Sequence, residues 1–159
     1  MDRREFVIAS GGIVAASSLL GQAVIAEDTT HLHHDHGTSN ARPASKELTD
    51  LQDSAFACLR AGEICLAQCN AVLAGGKTSM ADCQSAVLNM LSVIDATSKV
   101  STYNTADPTL LKALASVCAD YCRKCEKECK PHIEAHAECK DCMDACIHCA
   151  EACDAYVKA

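Results

Sequence analysis

Residues 118–153 read CADYCRKCEKECKPHIEAHAECKDCMDACIHCAEAC, and the spacing of the cysteines in this stretch decides the fold. Before Pro131 they stand at 118, 122, 125 and 129; after it at 139, 142, 146, 149 and 153. Gaps of three and four alternate throughout. Positions three and four apart share one face of an α-helix, and alternating the two steps traces the inner seam of a helical bundle. Pro131 divides the stretch, because proline disfavours helical geometry in the residue before it.

The seam extends toward the N-terminus. Cys58, Cys65 and Cys69 keep the step, with Gly62 in the missing place; Cys83 is followed by Val87, Leu91 and Ile94. Stop and start signals then predict four helices. The first runs from near Ser45 to about Ala74, where Gly75 and Gly76 end it. The second starts at Thr78 or Ser79, with Asp82 three residues after Ser79 as a capping box, and runs to about Ser101. Asp107 caps the third and Pro108 takes its first position. The fourth is expected from Pro131 or His132 to Val157. No segment alternates with period two, so strands are not expected. The predicted fold is all-α: an antiparallel up-down-up-down four-helix bundle with a Cys-lined core.

Composition agrees with that core. Thirteen of 159 residues are Cys, aromatic residues make up 3% and Trp is absent. Cores usually draw much of their buried area from large aromatics, so small, readily buried thiols must fill part of this one. The net charge of −7 argues against nucleic acid as a partner.

Residues 1–26 read as a leader. Arg3 and Arg4 precede a mildly apolar run rich in Gly and Ser, and Val24 and Ala26 suit cleavage after Ala26. The paired arginines resemble the twin-arginine export signal, although Asp2 stands where Ser or Thr is usual and Ala9 follows Ile8. The expected location is outside the cytoplasm, in the periplasm. No later stretch is expected to reach the roughly 18 apolar residues of a membrane span, so no membrane contact is expected after cleavage. Residues 27–44 are polar and read as a disordered linker carrying His31, His33, His34 and His36, a cluster able to chelate divalent metal.

Four chemistries can use thiols arranged in this way. Disulfides suit an exported chain, but the thiol count is odd, and bridging helix neighbours would strain the torsion about the sulfur–sulfur bond. Zinc prefers separate tetrahedral sites, into which a continuous ladder does not divide. An iron–sulfur run needs two-residue spacers, and the spacer after Cys125 has three. Copper(I) is soft and is satisfied by two sulfurs, which neighbours three or four apart supply. If each thiolate bridges two ions, the ratio approaches one copper per Cys. A dithiol redox enzyme is the alternative class; its C-x-x-C pair would be expected at a helix start in an α/β fold, so no enzymatic activity is expected.

The two ends of the predicted bundle differ. One gathers Cys69, Met80, Cys83, Cys129, His132, His136 and Cys139; the other gathers Leu48, Leu51, Val100, Leu110, Leu111, Leu114 and Tyr156. Counting one heptad back from Cys139 places His132 on the seam, and Met80 lies three before Cys83. Met80, His132 and the flanking His136 are therefore candidate ligands at a mouth, with His148 off the seam on the surface.

The repeated C-x-x-x-C and C-x-x-C spacing, from Cys65 to Cys69, Cys118 to Cys129 and Cys139 to Cys153, resembles the bacterial copper storage proteins. The resemblance covers residues 45–159 and, with the leader, points to the exported branch. It implies a metal-storage domain holding copper(I), the thirteen thiolates as ligands, and assembly as a homotetramer. A protein that would accept the copper has no signature in the chain.

Overall fold

The computed structural model describes residues 44–103 and 106–159. The leader and nearly all of the His-rich linker lie outside the described residues. Four helices follow: α1 (Lys46–Ala74), α2 (Ala81–Thr102), α3 (Pro108–Cys129) and α4 (Ala137–Lys158).

Their ends follow from local chemistry. The Ser45 hydroxyl accepts the backbone N–H of Leu48 at 3.2 Å, and the Asp107 carboxylate accepts those of Thr109 and Leu110 at 2.8 and 3.3 Å. Each cap satisfies donors the helix leaves orphaned, worth about 1 kcal/mol apiece. At the end of α1, Gly76 takes φ = 80°, the left-handed conformation that glycine alone adopts without a Cβ penalty. A 3-10 turn, Thr78–Met80, leads into α2.

Each helix packs on its neighbours in chain order, and α4 closes the ring against α1. The neighbours run antiparallel. Gln52, early in α1, donates to the Ser101 carbonyl at the end of α2 at 2.6 Å; Gln84, early in α2, donates to Asn70 late in α1 at 2.6 Å. Exposed ion pairs such as Arg123–Asp154 decorate the outside and add little to stability.

Three expectations are corrected. The fourth helix does not begin at Pro131: the chain makes a 3-10 turn at Lys130–His132 and re-enters α-helix only at Ala137. The heptad count that set His132 on the seam therefore does not apply. The end opposite the mouth is not purely apolar. Thr97, Ser98 and Ser101 are buried there, each hydroxyl donating to a carbonyl of its own helix at 2.9 to 3.0 Å, while Leu110 is 69% exposed and does not join the plug. Finally, α1 is long and apolar enough, by length and composition, to cross a membrane. The cause is its outer face, where Phe56 and Ile64 are exposed, while its inner face buries Leu51, Ala55, Cys58, Gly62, Cys65 and Cys69 in the bundle.

Gly62 marks the closest approach of α1 and α2. A Cβ there would lie 2.7 Å from the Met90 methyl and 2.8 Å from a Leu91 methyl. Gly62→Ala should gain about 0.5–1 kcal/mol of helix propensity and lose about 1–3 kcal/mol to overpacking. Urea unfolding of metal-free Gly62→Ala should therefore show a net loss of about 1 kcal/mol. A gain would mean that the two helices separate freely.

Candidate metal centre

All thirteen cysteines are free thiols and all are buried. They come from every helix: Cys58, Cys65 and Cys69 on α1, Cys83 on α2, Cys118, Cys122, Cys125 and Cys129 on α3, and Cys139, Cys142, Cys146, Cys149 and Cys153 on α4. The alternating spacing turns each toward the common axis. Buried thiols pack as small apolar groups, so they double as the core.

The sulfurs touch across the axis. Cys83 lies 3.6 Å from Cys129 and 3.7 Å from Cys69; Cys65 lies 3.8 Å from Cys139; Cys58 lies 3.8 Å from Cys146; Cys125 lies 3.9 Å from both Cys129 and Cys142. Within 4.8 Å the sulfurs group into trios: Cys58–Cys122–Cys146, Cys65–Cys83–Cys139, Cys65–Cys129–Cys142, Cys118–Cys122–Cys149 and Cys125–Cys142–Cys146. Cys65, Cys122, Cys142 and Cys146 each belong to two trios, so the groups interlock along the axis.

This geometry separates the chemistries. A metal–thiolate bond of about 2.3 Å, the value for zinc, makes a linear two-sulfur site about 4.6 Å wide. The trios are near that width already. Among the described residues none of these groups holds a fourth thiol, as a closed tetrahedral zinc site requires. Shared members suit bridging thiolates, not isolated sites.

Electrostatics divide the thiols into donors and acceptors. Cys83 is pulled down to about 3 by hydrogen bonds from Cys129, then Cys65, with the charge of nearby His132 adding to the effect. Bonds from Cys125 lower Cys142, and bonds from Cys118 lower Cys149. Cys69 and Cys139 are pushed up to about 12, first by burial and then by the charge on Cys83. Hydrogen bonds to Cys118 raise Cys122 and Cys153, while bonds to Cys125 and Cys122 raise Cys129 and Cys146 respectively. An anionic sulfur in an apolar core is stabilised by S–H groups aimed at it and by a nearby positive charge.

The candidate mouth is partly assembled. Met80 is fully buried in the core cluster beside the start of α2. His132 is half-buried and close enough to Cys83 to bias its charge. His136 caps α4 without a side-chain bond of its own to the helix. Its Nδ1 instead lies 3.0 Å from the Gln68 side-chain amide nitrogen, so a metal would be held through Nε2 while that contact lasts. His148 is exposed, 3.8 Å from Glu151, as expected. Sequence reasoning missed Met90. It is fully buried, and the Cys58 thiol donates to its Sδ at 3.7 Å. Its place seven residues after Cys83 was the available signal.

Fold and thiol geometry together define a four-helix bundle whose interior is a continuous soft-metal store. The sequence profile of the family described as copper storage protein matches residues 44–158, and the chain belongs to that family. Two solved structures share its fold, both from Streptomyces lividans. A copper storage protein loaded with 10 copper equivalents is 24% identical, with a TM-score of 0.65 over 74% of this chain and 92% of that one. A cytosolic copper storage protein with five coppers is also 24% identical, with a TM-score of 0.64 over 71% and 93%. No curated protein matches the chain.

Proposed function

We propose that this chain stores copper as copper(I), many ions per molecule, between the thiolates of its core. The observation that carries the reading is the interlocking of the sulfur trios along one axis. Soft thiolates favour copper(I), and a low-coordinate ion needs only two of the three sulfurs in each group. The loaded state described for the Streptomyces lividans protein supports a high capacity. Storage is the role that burial of all thirteen thiols and the copper storage family support. The test is titration of reduced protein with copper(I) under a competing chelator, with zinc in parallel.

Copper enters at the end where Met80 and His132 stand beside Cys69, Cys83, Cys129 and Cys139. Close-packed helix walls deny lateral access. At this mouth the thiols that donate to Cys83 pull it down, so it gives up its proton to an ion more readily than its neighbours Cys69 and Cys139, which burial pushes up. At the other end, buried hydroxyls are already bonded to their own helix and Leu51 and Leu111 fill the axis. Met80→Leu with His132→Leu should slow loading and chelator-driven removal severalfold and leave capacity nearly unchanged. If Leu111→Ala at the opposite end accelerated loading while the mouth variant loaded normally, the direction would be reversed.

Export through the twin-arginine route extends this reading, supported by Arg3, Arg4 and the mildly apolar run behind them. That route carries folded proteins, so the thiols would be enclosed before reaching an oxidising compartment. Assembly into a tetramer is supported by the apolar side chains turned outward on α1 and α2, Phe56, Ile64 and Leu88.

A further inference from the structure

The helix α2 carries one cysteine, Cys83, and beyond it the seam continues with Val87, Met90, Leu91 and Ile94, all buried. On this account α2 would contribute nothing to metal binding past the mouth. Yet Met90 is fully buried and reaches over Gly62, where a Cβ would lie 2.7 Å from its methyl group. That approach sets the Met90 sulfur 3.7 Å from Cys58, and the Cys58 thiol donates its proton to it. Cys58 belongs to the trio with Cys122 and Cys146, midway along the axis. The pair Gly62 and Met90 thus replaces a missing α1 thiol with an α2 thioether at the same level.

We infer that Met90 is an internal copper(I) ligand that shares an ion with Cys58. This rests on the copper storage reading and adds a ligand to it. Thioether sulfur is a soft donor suited to copper(I). The ion would take the place of the proton between the two sulfurs: one Cu⁺ enters, one H⁺ leaves, and two metal–sulfur bonds replace one S–H bond and its weak hydrogen bond. Charge favours this arrangement. Copper(I) between two thiolates is an anion in an apolar core, whereas copper(I) between one thiolate and one thioether is neutral and avoids the cost of burying charge. Leu88, on the same helix, is exposed, and Val87, Leu91 and Ile94 have no donor atom, so Met90 is the position from which α2 can supply this rung.

The experiment uses the full chain carrying Met80→Leu and Met143→Leu, grown with selenomethionine, so that Met1 and Met90 are the two selenium sites and Met90 is the one among the described residues. X-ray absorption at the selenium edge, before and after loading with copper(I), should gain a copper neighbour. Adding Met90→Leu, a volume-conserving change that keeps the packing, should abolish it. A chain that loads close to one copper per Cys with no copper neighbour at selenium would overturn the Met90 assignment and leave storage intact. A chain that saturates at one or two ions would sink both, and the two failures are told apart by the copper count.

Discussion

Reduced protein titrated with copper(I) is expected to take up well over four ions per chain and to approach one per cysteine before the chelator begins to compete. The expectation follows from shared sulfurs. Were every ion to hold four thiolates of its own, as in a closed zinc site, thirteen thiols would serve about three ions. Were every ion to hold two, unshared, they would serve about six. Only bridging lifts the count further, and Cys65, Cys122, Cys142 and Cys146 each already stand in two trios. Cys146→Ser isolates the point: it removes a sulfur common to two groups and should cost more than one ion, whereas Cys69→Ser, outside all five trios, should cost one at most. Saturation of the wild type at one or two ions would end the storage reading. Equal losses from both variants would keep storage but discard bridging.

Sequence reasoning reached the bundle because its determinants are local. Ser45, Asp107 with Pro108, and Gly75 with Gly76 act within one helical turn of themselves, and the structure puts the helix ends where they stand. The thiol ladder was legible for the same reason, since a seam is written in steps of three and four. What failed was tertiary. Pro131 suits the first turn of a helix as well as the end of one, and nothing in residues 130–136 announces that the chain spends them on a 3-10 turn and a loop before His136. Gly62 reads as a missing ligand along α1; only the approach of α2 shows that the gap is occupied by Met90. Thr97, Ser98 and Ser101 are buried because each hydroxyl donates to a carbonyl in its own helix, a local bond that makes a polar residue tolerable inside.

Acid should strip copper from the raised thiols before it strips it from the lowered ones. Each bridged copper displaces about one proton per thiol, so affinity falls about tenfold per pH unit wherever that thiol would otherwise be protonated, and about a hundredfold from pH 8 to pH 6. Cys69 and Cys139, pushed up to about 12 chiefly by burial, are protonated throughout that range when metal-free and bear the full dependence. Cys83, pulled down to about 3 by the thiols that donate to it, has no proton to regain until strongly acid conditions. Copper held against Cys83 should therefore survive to lower pH than copper held by Cys69 and Cys139 at the same end. Metal-free protein tests the same shifts with the opposite limb. A thiol whose pKa is raised by folding stabilises the fold fully below its unfolded pKa of about 8.5 and ceases to do so as pH climbs through its folded value. Thermal stability of the metal-free chain should hold near neutrality and decline between about pH 9 and pH 12, while copper-loaded protein, with metal in place of those protons, should be far less affected over that interval. Affinity that did not change between pH 8 and pH 6 would contradict thiolate ligation. Metal-free protein that grew more stable in alkali would contradict the raised thiols, and with them the view that burial keeps Cys69 and Cys139 protonated until copper arrives.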